Sequence, residues 1–516
     1  MSKRALQAWR VLGVVVVLVA SALYVGGTVR CEGLGFPLDD GWIHQTYARN
    51  LAQTGQLAYV PGLVSTGSTS PLWTLLLAVG HLLHVPPTLW AYMLGGASWL
   101  LVAWTATALA RRLFPEQQTA APWVGLACLL EWHLAWAAFS GMETVLFAWL
   151  CLLLIERYAA RAHPFLLGVI GGVTLLARPE GVVLAGLLVT VLVLDRRWFQ
   201  GKRDGIWSRG LVVILADVAA GLAALIVPYV VFNLIVSGQL FPNTFYAKQA
   251  EYEVYLAKPL LERLWRVLYS PQIGAQALLL PFFVWLVVDS LSELVRGEWR
   301  VGGRTETRVS PLLRMLPAVW WAAYFCIYAL RMPVNYQHGR YLMPTIPFAL
   351  LYGVVGLARR LRPRSPRLPV RLFSRVMPLA VGCLFAAFFF LGARAYADDV
   401  CIINGEMVDV AHWLNESTPP GALIAAHDIG AIGYFGHRPL LDLAGLITPQ
   451  VIPFIRDEAR LLQFVLAQEA DYLVTFPSWY PDMTSDERLV LVYETGYALT
   501  REKGADNMAV YAIRGE

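Results

Sequence analysis

Long apolar runs separated by short polar loops are the dominant pattern along this chain. Eleven runs reach or approach the ~20 apolar residues that a helix needs to cross a bilayer. No small-residue cleavage site cleanly follows the first run, so we expect it to remain as a helix rather than be removed as a signal peptide. The predicted spans lie near residues 9–27, 88–110, 121–139, 142–160, 164–178, 181–194, 211–236, 272–293, 312–330, 341–358 and 376–396.

Lysine and arginine concentrate in alternate loops, and this sets the predicted orientation. Because basic loops favour the cytoplasmic side, eleven spans with the N-terminus inside and the C-terminus outside place every basic cluster in the cytoplasm. This count requires the 14-residue apolar stretch 71–84 to lie at the interface, since counting it as a span would put the largest basic loops outside. The clusters lie at the N-terminus and at 111–112, 157–161, 196–209, 296–314 and 359–375.

The last 120 residues are less apolar and alternate between strand and helix patterns. We therefore divide the chain into a transmembrane module, residues 1–396, and a small extracytoplasmic α/β domain, residues 397–516. The outer loop 28–87 of the membrane module is expected to carry interfacial helices. Strands are predicted near 422–428, 472–476, 487–494 and 508–514, and helices near 404–416 and 456–469.

Composition agrees with a polytopic α-helical membrane protein. The chain is 57% hydrophobic and only 15% charged, whereas a soluble domain carries about 25% charged residues. The net charge of +5 does not indicate a nucleic-acid partner, because the basic residues occupy short loops between apolar runs. Of the six cysteines, Cys31 and Cys401 lie just beyond membrane helices on the oxidising face, and we predict a disulfide between them.

Two adjacent carboxylates, Asp39 and Asp40, follow the first span at the head of the amphipathic stretch 42–51. One of them could cap a helix by accepting its free amide protons. A second anion at a membrane boundary adds repulsion and desolvation cost, which capping does not explain. We therefore favour a catalytic role for the pair.

The other turns on the outer side are short and unusually polar. Ionisable residues near membrane depth are costly and are candidates for functional sites. Each has a structural alternative of equal weight, as a helix cap, a local ion pair or an interface anchor. Together they bring acidic clusters and basic anchors to one surface, which suits a substrate with a phosphate and a hydroxyl nucleophile. The candidates are Glu143, Arg178, Glu180, Asn243, Tyr246, Lys248, His338, Arg340 and Tyr341.

This arrangement resembles the GT-C superfamily of membrane glycosyltransferases, which use polyprenyl-phosphate-linked sugars. Within it, the chain looks most similar to the arabinofuranosyltransferase-like branch of actinobacterial cell-wall synthesis. The segment GSTSPLW departs from an EGYTNPLW-type segment of the relatives by lacking its acidic residue, which concerns specificity more than reaction class. The resemblance rests on DDGWIHQTYARNLAQTGQL (39–57), GSTSPLWTLLLA (67–78), SGMETVLFA (140–148), LARPEG (176–181), LFPNTFYAK (240–248), GRYLMPTIP (339–347) and HDIGAIGYFGHRPLLDLAGL (427–446).

The resemblance implies an inverting transfer on the outer face of a bacterial cytoplasmic membrane. Asp39 would be the base for the acceptor hydroxyl, with Asp40 orienting the acceptor or Asp39 itself. Lys248 and Arg340 would bind the lipid phosphate, and Glu143 would contact the acceptor. No cofactor is required by this scheme, and a divalent cation, if one is used, would be held by Asp39, Asp40 and Glu143.

The segment 427–446 is predicted to form a strand, a glycine-rich turn, a short helix and a second strand. The spacing of Gly430 and Gly433 fits no phosphate-binding loop, so we interpret these glycines as tight turns. His427, Asp428 and Asp442 are expected to face the membrane active site and contact the acceptor.

The expected partners are a polyprenyl-phosphate sugar donor, a glycan or lipid acceptor and membrane lipid. Transfer of mannose or aminoarabinose to protein or lipid is an alternative that the sequence separates poorly from transfer of arabinofuranose. A transporter of lipid-linked sugars is less favoured, because the charges lie at one face and no inverted repeat is present. The sequence names neither the sugar, the acceptor nor the lipid length.

Overall fold

The computed structural model describes residues 3–31, 33–194, 210–296 and 309–514. The basic loop 196–209 and most of the loop 296–314, which contributed to the predicted orientation, lie outside the described residues.

Helices form the membrane module, and each predicted span coincides with at least one of them. In chain order they are α1 (Lys3–Gly26), α2 (Asp40–Thr54), α3 (Pro71–Leu82), α4 (Pro87–Leu113), α5 (Ala121–Leu130), α6 (Trp132–Ala138), α7 (Thr144–Ala159), α8 (Pro164–Ala177), α9 (Gly181–Leu194), α10 (Leu211–Ser237), α11 (Asn243–Glu251), α12 (Leu260–Tyr269), α13 (Ala275–Arg296), α14 (Pro311–Arg331), α15 (Ile346–Arg360) and α16 (Leu368–Ile403).

Seven helical segments of the described chain are long and apolar enough to cross a membrane. The chain is therefore a multi-pass membrane protein. The predicted span 121–139 is not one helix, because Glu131 divides it into α5 and α6. The buried Glu131 carboxylate caps α6 by accepting the Leu134 amide at 2.8 Å, and it also accepts a hydrogen bond from Gln276. The helix break follows from the need of this buried charge for hydrogen-bond donors.

The first outer loop contains α2, α3 and a two-stranded hairpin, β1 (Ala58–Val60) and β2 (Leu63–Val64). At 12 residues, α3 is about 18 Å long, which is less than the ~30 Å of a bilayer core. The helices α5, α8 and α9, with 10, 14 and 14 residues, are similarly short, so length does not distinguish α3 from them and the interfacial position of 71–84 stays a prediction.

The C-terminal domain is joined to the membrane module by helix rather than by a flexible linker. The helix α16 passes through a π-helical turn, Asn404–Val408, into α17 (Asp409–Ser417). The predicted boundary after residue 396 therefore falls inside a continuous helix. The remaining helices of this domain are α18 (Gly430–Phe435), α19 (Glu458–Ala467), α20 (Pro481–Thr484) and α21 (Ala498–Glu502).

A five-stranded mixed sheet forms the centre of this domain, in the order β4-β3-β5-β7-β6. The strand β3 is parallel to β4 and β5, whereas β7 is antiparallel to β5 and β6. All the strands predicted from the sequence are present. Their bounds are β3 (Ile424–Ala426), β4 (Leu440–Asp442), β5 (Tyr472–Thr475), β6 (Leu489–Glu494) and β7 (Ala509–Ile513).

Covalent and polar contacts fix the domain over the first outer loop. Cys31 and Cys401 form a disulfide, as predicted from the sequence. Beside it, Arg30 pairs with Asp398, and the Asn404 side chain donates to the Cys31 carbonyl at 3.1 Å. The apolar core runs continuously from the membrane helices into this domain. The outer loop and the C-terminal domain therefore face each other across a defined interface.

Candidate active site

Asp39 connects the first outer loop to the C-terminal domain. Its side chain makes no capping hydrogen bond to α2, although it directly precedes that helix. Its two oxygens instead accept hydrogen bonds from the backbone amides of Gly430 (2.6 Å) and Ala431 (2.7 Å) at the start of α18. A Cβ on residue 430 would lie 2.1 Å from the Asp39 main-chain oxygen, so this approach requires glycine. Asp39 therefore does not cap α2, the helix it precedes, but caps the N-terminus of α18 across the interface between the loop and the C-terminal domain.

Burial sets the protonation of Asp39. Removal from water raises the pKa of Asp39 to about 6, and repulsion from Asp40 adds to the rise, while the two amide hydrogen bonds oppose it. A carboxyl with a pKa near neutral is suited to accept a proton. Each carboxylate oxygen keeps a further lone pair, so the amides orient the group and leave it able to act as an acceptor.

Asp40 has a different environment and a different role. It forms an ion pair with Arg340, and its other oxygen lies 4.0 Å from Lys248 Nζ. Burial alone would raise its pKa, but the charges of Arg340 and Lys248 hold the pKa of Asp40 well below its usual range. Asp40 is therefore a permanent anion that positions the two basic side chains.

Arg340, Lys248 and Tyr341 form a compact cationic group. The Tyr341 hydroxyl accepts from Arg340 Nη2 at 2.9 Å and from Lys248 Nζ at 3.1 Å. The Arg340 side chain is buried, and its Nε and Nη1 atoms have no hydrogen-bond partner within the described part of the chain. Unpaired buried donors are costly, and an anionic ligand would satisfy them.

A constrained turn, residues 336–339, presents Arg340 to this group. Gln337, His338 and Gly339 all have left-handed backbone conformations, with φ of 50°, 60° and 73°. His338 Nε2 lies 2.8 Å from Asp399 Oδ2, an atom that also accepts from Trp136 Nε1 at 2.8 Å. His338 therefore holds the turn against α16, two residues before the arginine.

A second buried network lies next to the cationic group. Arg178 donates to Glu143 at 2.9 Å and to Glu180 at 3.1 Å, and it also donates to the Tyr328 hydroxyl at 3.0 Å. His44, one helical turn after Asp40, has its Nε2 3.5 Å from the second Glu143 oxygen. This network links α2 to the helices α7, α8 and α14.

Two cavities meet at the cationic group. The larger, of about 600 Å³, lies between the membrane module and the C-terminal domain, and Asp39 and Asp428 line it. The smaller, of about 280 Å³, lies among the ends of α7, α8, α9 and α14 and is mostly apolar. Lys248, Arg340 and Tyr341 line both cavities and form the wall between them.

The structure gathers most of the residues predicted from the sequence around these cavities. The larger cavity is lined by Asp39, Asp40, Lys248, Arg340, Tyr341, His427 and Asp428. The smaller is lined by Glu143, Arg178, Glu180, Lys248, Arg340 and Tyr341. Four predicted residues line neither cavity, namely Asn243, Tyr246, His338 and Asp442.

Each carboxylate proposed as a metal ligand binds a different protein group. Asp39 binds backbone amides, Asp40 binds Arg340 and Glu143 binds Arg178. Among the residues that the structure describes, no three acidic, histidine or cysteine side chains are grouped as metal ligands would be.

The expectation that Asp442 faces the site is wrong. Asp442 ends β4, and its buried carboxylate accepts the amides of Ala444 and Ile447, both at 2.8 Å. Asp442 does not line either cavity.

Sequence reasoning missed one acidic and several aromatic residues of the larger cavity. They lie on the segment 251–255, on the turn 336–339 and after β5. Aromatic residues in polar loops have no periodicity that marks them, and Glu251 lies three residues beyond the matched segment 240–248. The missed residues are Glu251, Tyr252, Tyr255, Tyr336, Trp479 and Tyr480.

Comparison with solved structures identifies the architecture. The structure of ArnT from Cupriavidus metallidurans bound to undecaprenyl phosphate matches 99% of this chain and 98% of its own, with a TM-score of 0.60 and 16% identity. The chain has the GT-C fold. The oligosaccharyltransferase of Archaeoglobus fulgidus, in complex with zinc and sulfate, matches 92% of this chain and 69% of its own, with a TM-score of 0.59 and 12% identity.

A third match extends over the whole chain. The arabinofuranosyltransferase AftD from Mycobacteria matches 100% of this chain and 40% of its own, with a TM-score of 0.54 and 16% identity. Residues 400–511 match a family described as Domain of unknown function (DUF8728). No curated protein matches the sequence significantly. At these identities the likeness establishes the fold, and the reaction has to be argued from the site.

Proposed function

We propose that this chain is a membrane glycosyltransferase that moves a sugar from a polyprenyl-phosphate donor to a hydroxyl acceptor at the outer face of the membrane. One observation carries the proposal. Arg340, Lys248 and Tyr341 form a wall between an apolar cavity among the membrane helices and a polar cavity that contains Asp39. A lipid phosphate needs this combination of apolar and cationic surroundings.

The parts of the donor would lie on different sides of this wall. The prenyl chain would lie in the apolar cavity, the phosphate against Lys248 and Arg340, and the sugar in the polar cavity. The two unpaired nitrogens of Arg340 would donate to phosphate oxygens. The matching structures support a lipid-phosphate donor, since ArnT was solved with undecaprenyl phosphate and the archaeal oligosaccharyltransferase with dolichol-phosphate.

The chemistry follows from the two carboxylates. Asp39 would take the proton from the acceptor hydroxyl while that oxygen forms a bond to the anomeric carbon. The bond between the anomeric carbon and the phosphate oxygen breaks, and its electron pair leaves with the phosphate. Lys248 and Arg340 would stabilise the charge that develops on the leaving group. A single displacement inverts the anomeric configuration.

The proposed donor sugar is arabinofuranose, on the segments by which the sequence resembles the arabinofuranosyltransferase-like branch, with mannose and aminoarabinose as alternatives. The test is transfer by the purified protein in nanodiscs from polyprenyl-phosphate arabinofuranose, mannose and aminoarabinose, with NMR of the product linkage. We expect transfer from one donor with inversion and without sensitivity to EDTA. A retained configuration, or no transfer from any donor, would contradict the mechanism.

A further inference from the structure

The larger cavity has a group of aromatic side chains that the transfer chemistry does not use. On the C-terminal domain, Trp479 and Tyr480 follow β5 at the cavity wall. Trp479 is 46% exposed, although its ring contacts Phe476 and the edge of His427 at centroid distances of 5.0 and 5.2 Å. A large indole left this exposed at a cavity is available to pack against a ligand.

A second aromatic group comes from the membrane module. The hydroxyls of Tyr255 and Tyr336 are hydrogen-bonded at 2.6 Å, and the Tyr252 ring lies 6.4 Å from Tyr255 and 5.7 Å from Tyr336. All three tyrosines line the same cavity as Trp479. The volume of about 600 Å³ falls within the range of about 300–1,000 Å³ that encloses small organic ligands.

Acidic groups accompany these rings. Glu251 Oε1 lies 3.8 Å from His427 Nε2, and His427 Nδ1 is hydrogen-bonded to the Tyr480 hydroxyl at 2.7 Å. Asp428 lines the cavity beside them, and burial together with repulsion from Asp39, Asp40 and Glu251 raises its pKa well above the usual value. The exposed Arg456 also lines this side of the cavity and offsets the charge of Glu251, so no net positive charge selects an anion here. The carboxyl groups of Glu251 and Asp428 can bind the hydroxyls of a neutral ligand.

We propose that the C-terminal domain recognises the acceptor, and that this acceptor is the end of a neutral glycan chain packed against Trp479. The apolar C–H face of a sugar ring fits an aromatic ring, and the sugar hydroxyls fit Glu251 and Asp428. The inference rests on the proposed function, since it names the substrate that presents a hydroxyl to Asp39. It also assigns a role to the domain that covers residues 400–511.

The test measures glycan binding separately from transfer. Short neutral arabinan, mannan and galactan oligosaccharides, and an anionic uronic-acid oligosaccharide, are titrated against the full-length protein in nanodiscs. Trp479→Ala is compared with Trp479→Phe and with Leu491→Ala, an exposed residue of β6 outside the cavity. Binding of undecaprenyl phosphate is measured for each variant.

We expect the wild type to bind at least one neutral oligosaccharide and to bind the anionic one more weakly. Trp479→Ala should weaken neutral glycan binding about tenfold, Trp479→Phe should restore most of it, and Leu491→Ala should have no effect. Lipid phosphate binding should be unchanged throughout. Equal glycan affinity of Trp479→Ala and wild type, preference for the anionic oligosaccharide, or no glycan binding would overturn the inference.

The two proposals fail in different ways. If glycan binding depends on Trp479 but no donor supports transfer, the proposed glycosyltransferase activity is refuted and the proposed glycan site stands. Transfer that proceeds with an unchanged acceptor KM in Trp479→Ala would refute the glycan site and keep the glycosyltransferase.

Discussion

Replacing Asp39 by asparagine should separate two roles that the structure gives to one carboxylate. Asp39 accepts one buried amide on each oxygen, at 2.6 and 2.7 Å. Asparagine keeps the shape but has one accepting atom, so its NH₂ group would face the amide of Gly430 or Ala431. A buried donor left without an acceptor costs about 1–3 kcal/mol, which is small beside a typical unfolding free energy of about 5–15 kcal/mol. The protein should therefore stay folded.

The effect on transfer should be much larger than the effect on stability. Loss of a general base lowers kcat by a factor of about 10²–10⁴. The matched control is Asp442→Asn, because Asp442, in the C-terminal domain, also accepts two backbone amides and lies outside both cavities. Thermal unfolding should shift by a similar amount in both variants.

The assay is single-turnover transfer at saturating donor, with the unfolding midpoint measured on the same preparations. Asp39→Asn should lose most of kcat, and Asp442→Asn should stay within a few-fold of the wild type. If Asp39→Asn keeps more than about a tenth of the wild-type kcat, the assignment of the base is refuted. If both variants lose activity equally, Asp39 acts only by docking the domain.

Three further predictions follow from the same geometry. Burial raises the pKa of Asp39 to about 6, and only the ionised form accepts a proton. The value of kcat/KM should therefore fall about tenfold per pH unit below pH 6, and a decline that begins only near pH 4 would count against this base. Arg340→Gln should weaken undecaprenyl phosphate binding about 10–100-fold. The control is Arg394→Gln, on α16 and outside both cavities, which should leave this binding unchanged, and equal effects of the two variants would exclude a specific phosphate contact. Cys31→Ser should lower the unfolding free energy by about 2–4 kcal/mol and thereby lower the thermal midpoint, and reductant should have the same effect on the wild type. An unchanged midpoint would show that the disulfide does not stabilise the fold.

The sequence predicted the helices and strands well because their signals are local. Apolar length marks a membrane helix, and a short run of β-branched and other apolar residues marks a strand such as Leu489–Glu494. The sequence analysis missed the break at Glu131, whose only signal was a single acidic residue inside the run 121–139, and it missed the helices α11 and α12. The described residues contain seven long apolar helices, and the eleven spans with the N-terminus inside stay a prediction.

The sequence identified many residues of the site but not the contacts among them. Asp39 lies 391 residues before its partner Gly430, and no local pattern connects a carboxylate with a distant amide. For the same reason, His338 was assigned to substrate although it pairs with Asp399 on α16. The turn that presents Arg340 depends on left-handed Gln337 and His338, which are not residues that mark such a turn.

The central claim is that the wall formed by Lys248, Arg340 and Tyr341 binds the phosphate of a lipid donor. The most direct measurement is a cryo-EM structure of the full-length protein with undecaprenyl phosphate. We expect the phosphate within hydrogen-bond distance of Arg340 Nε and Nη1, and the prenyl chain in the apolar cavity beside Arg178 and Tyr328. Lipid bound elsewhere, with the Arg340 nitrogens still unpaired, would contradict the account.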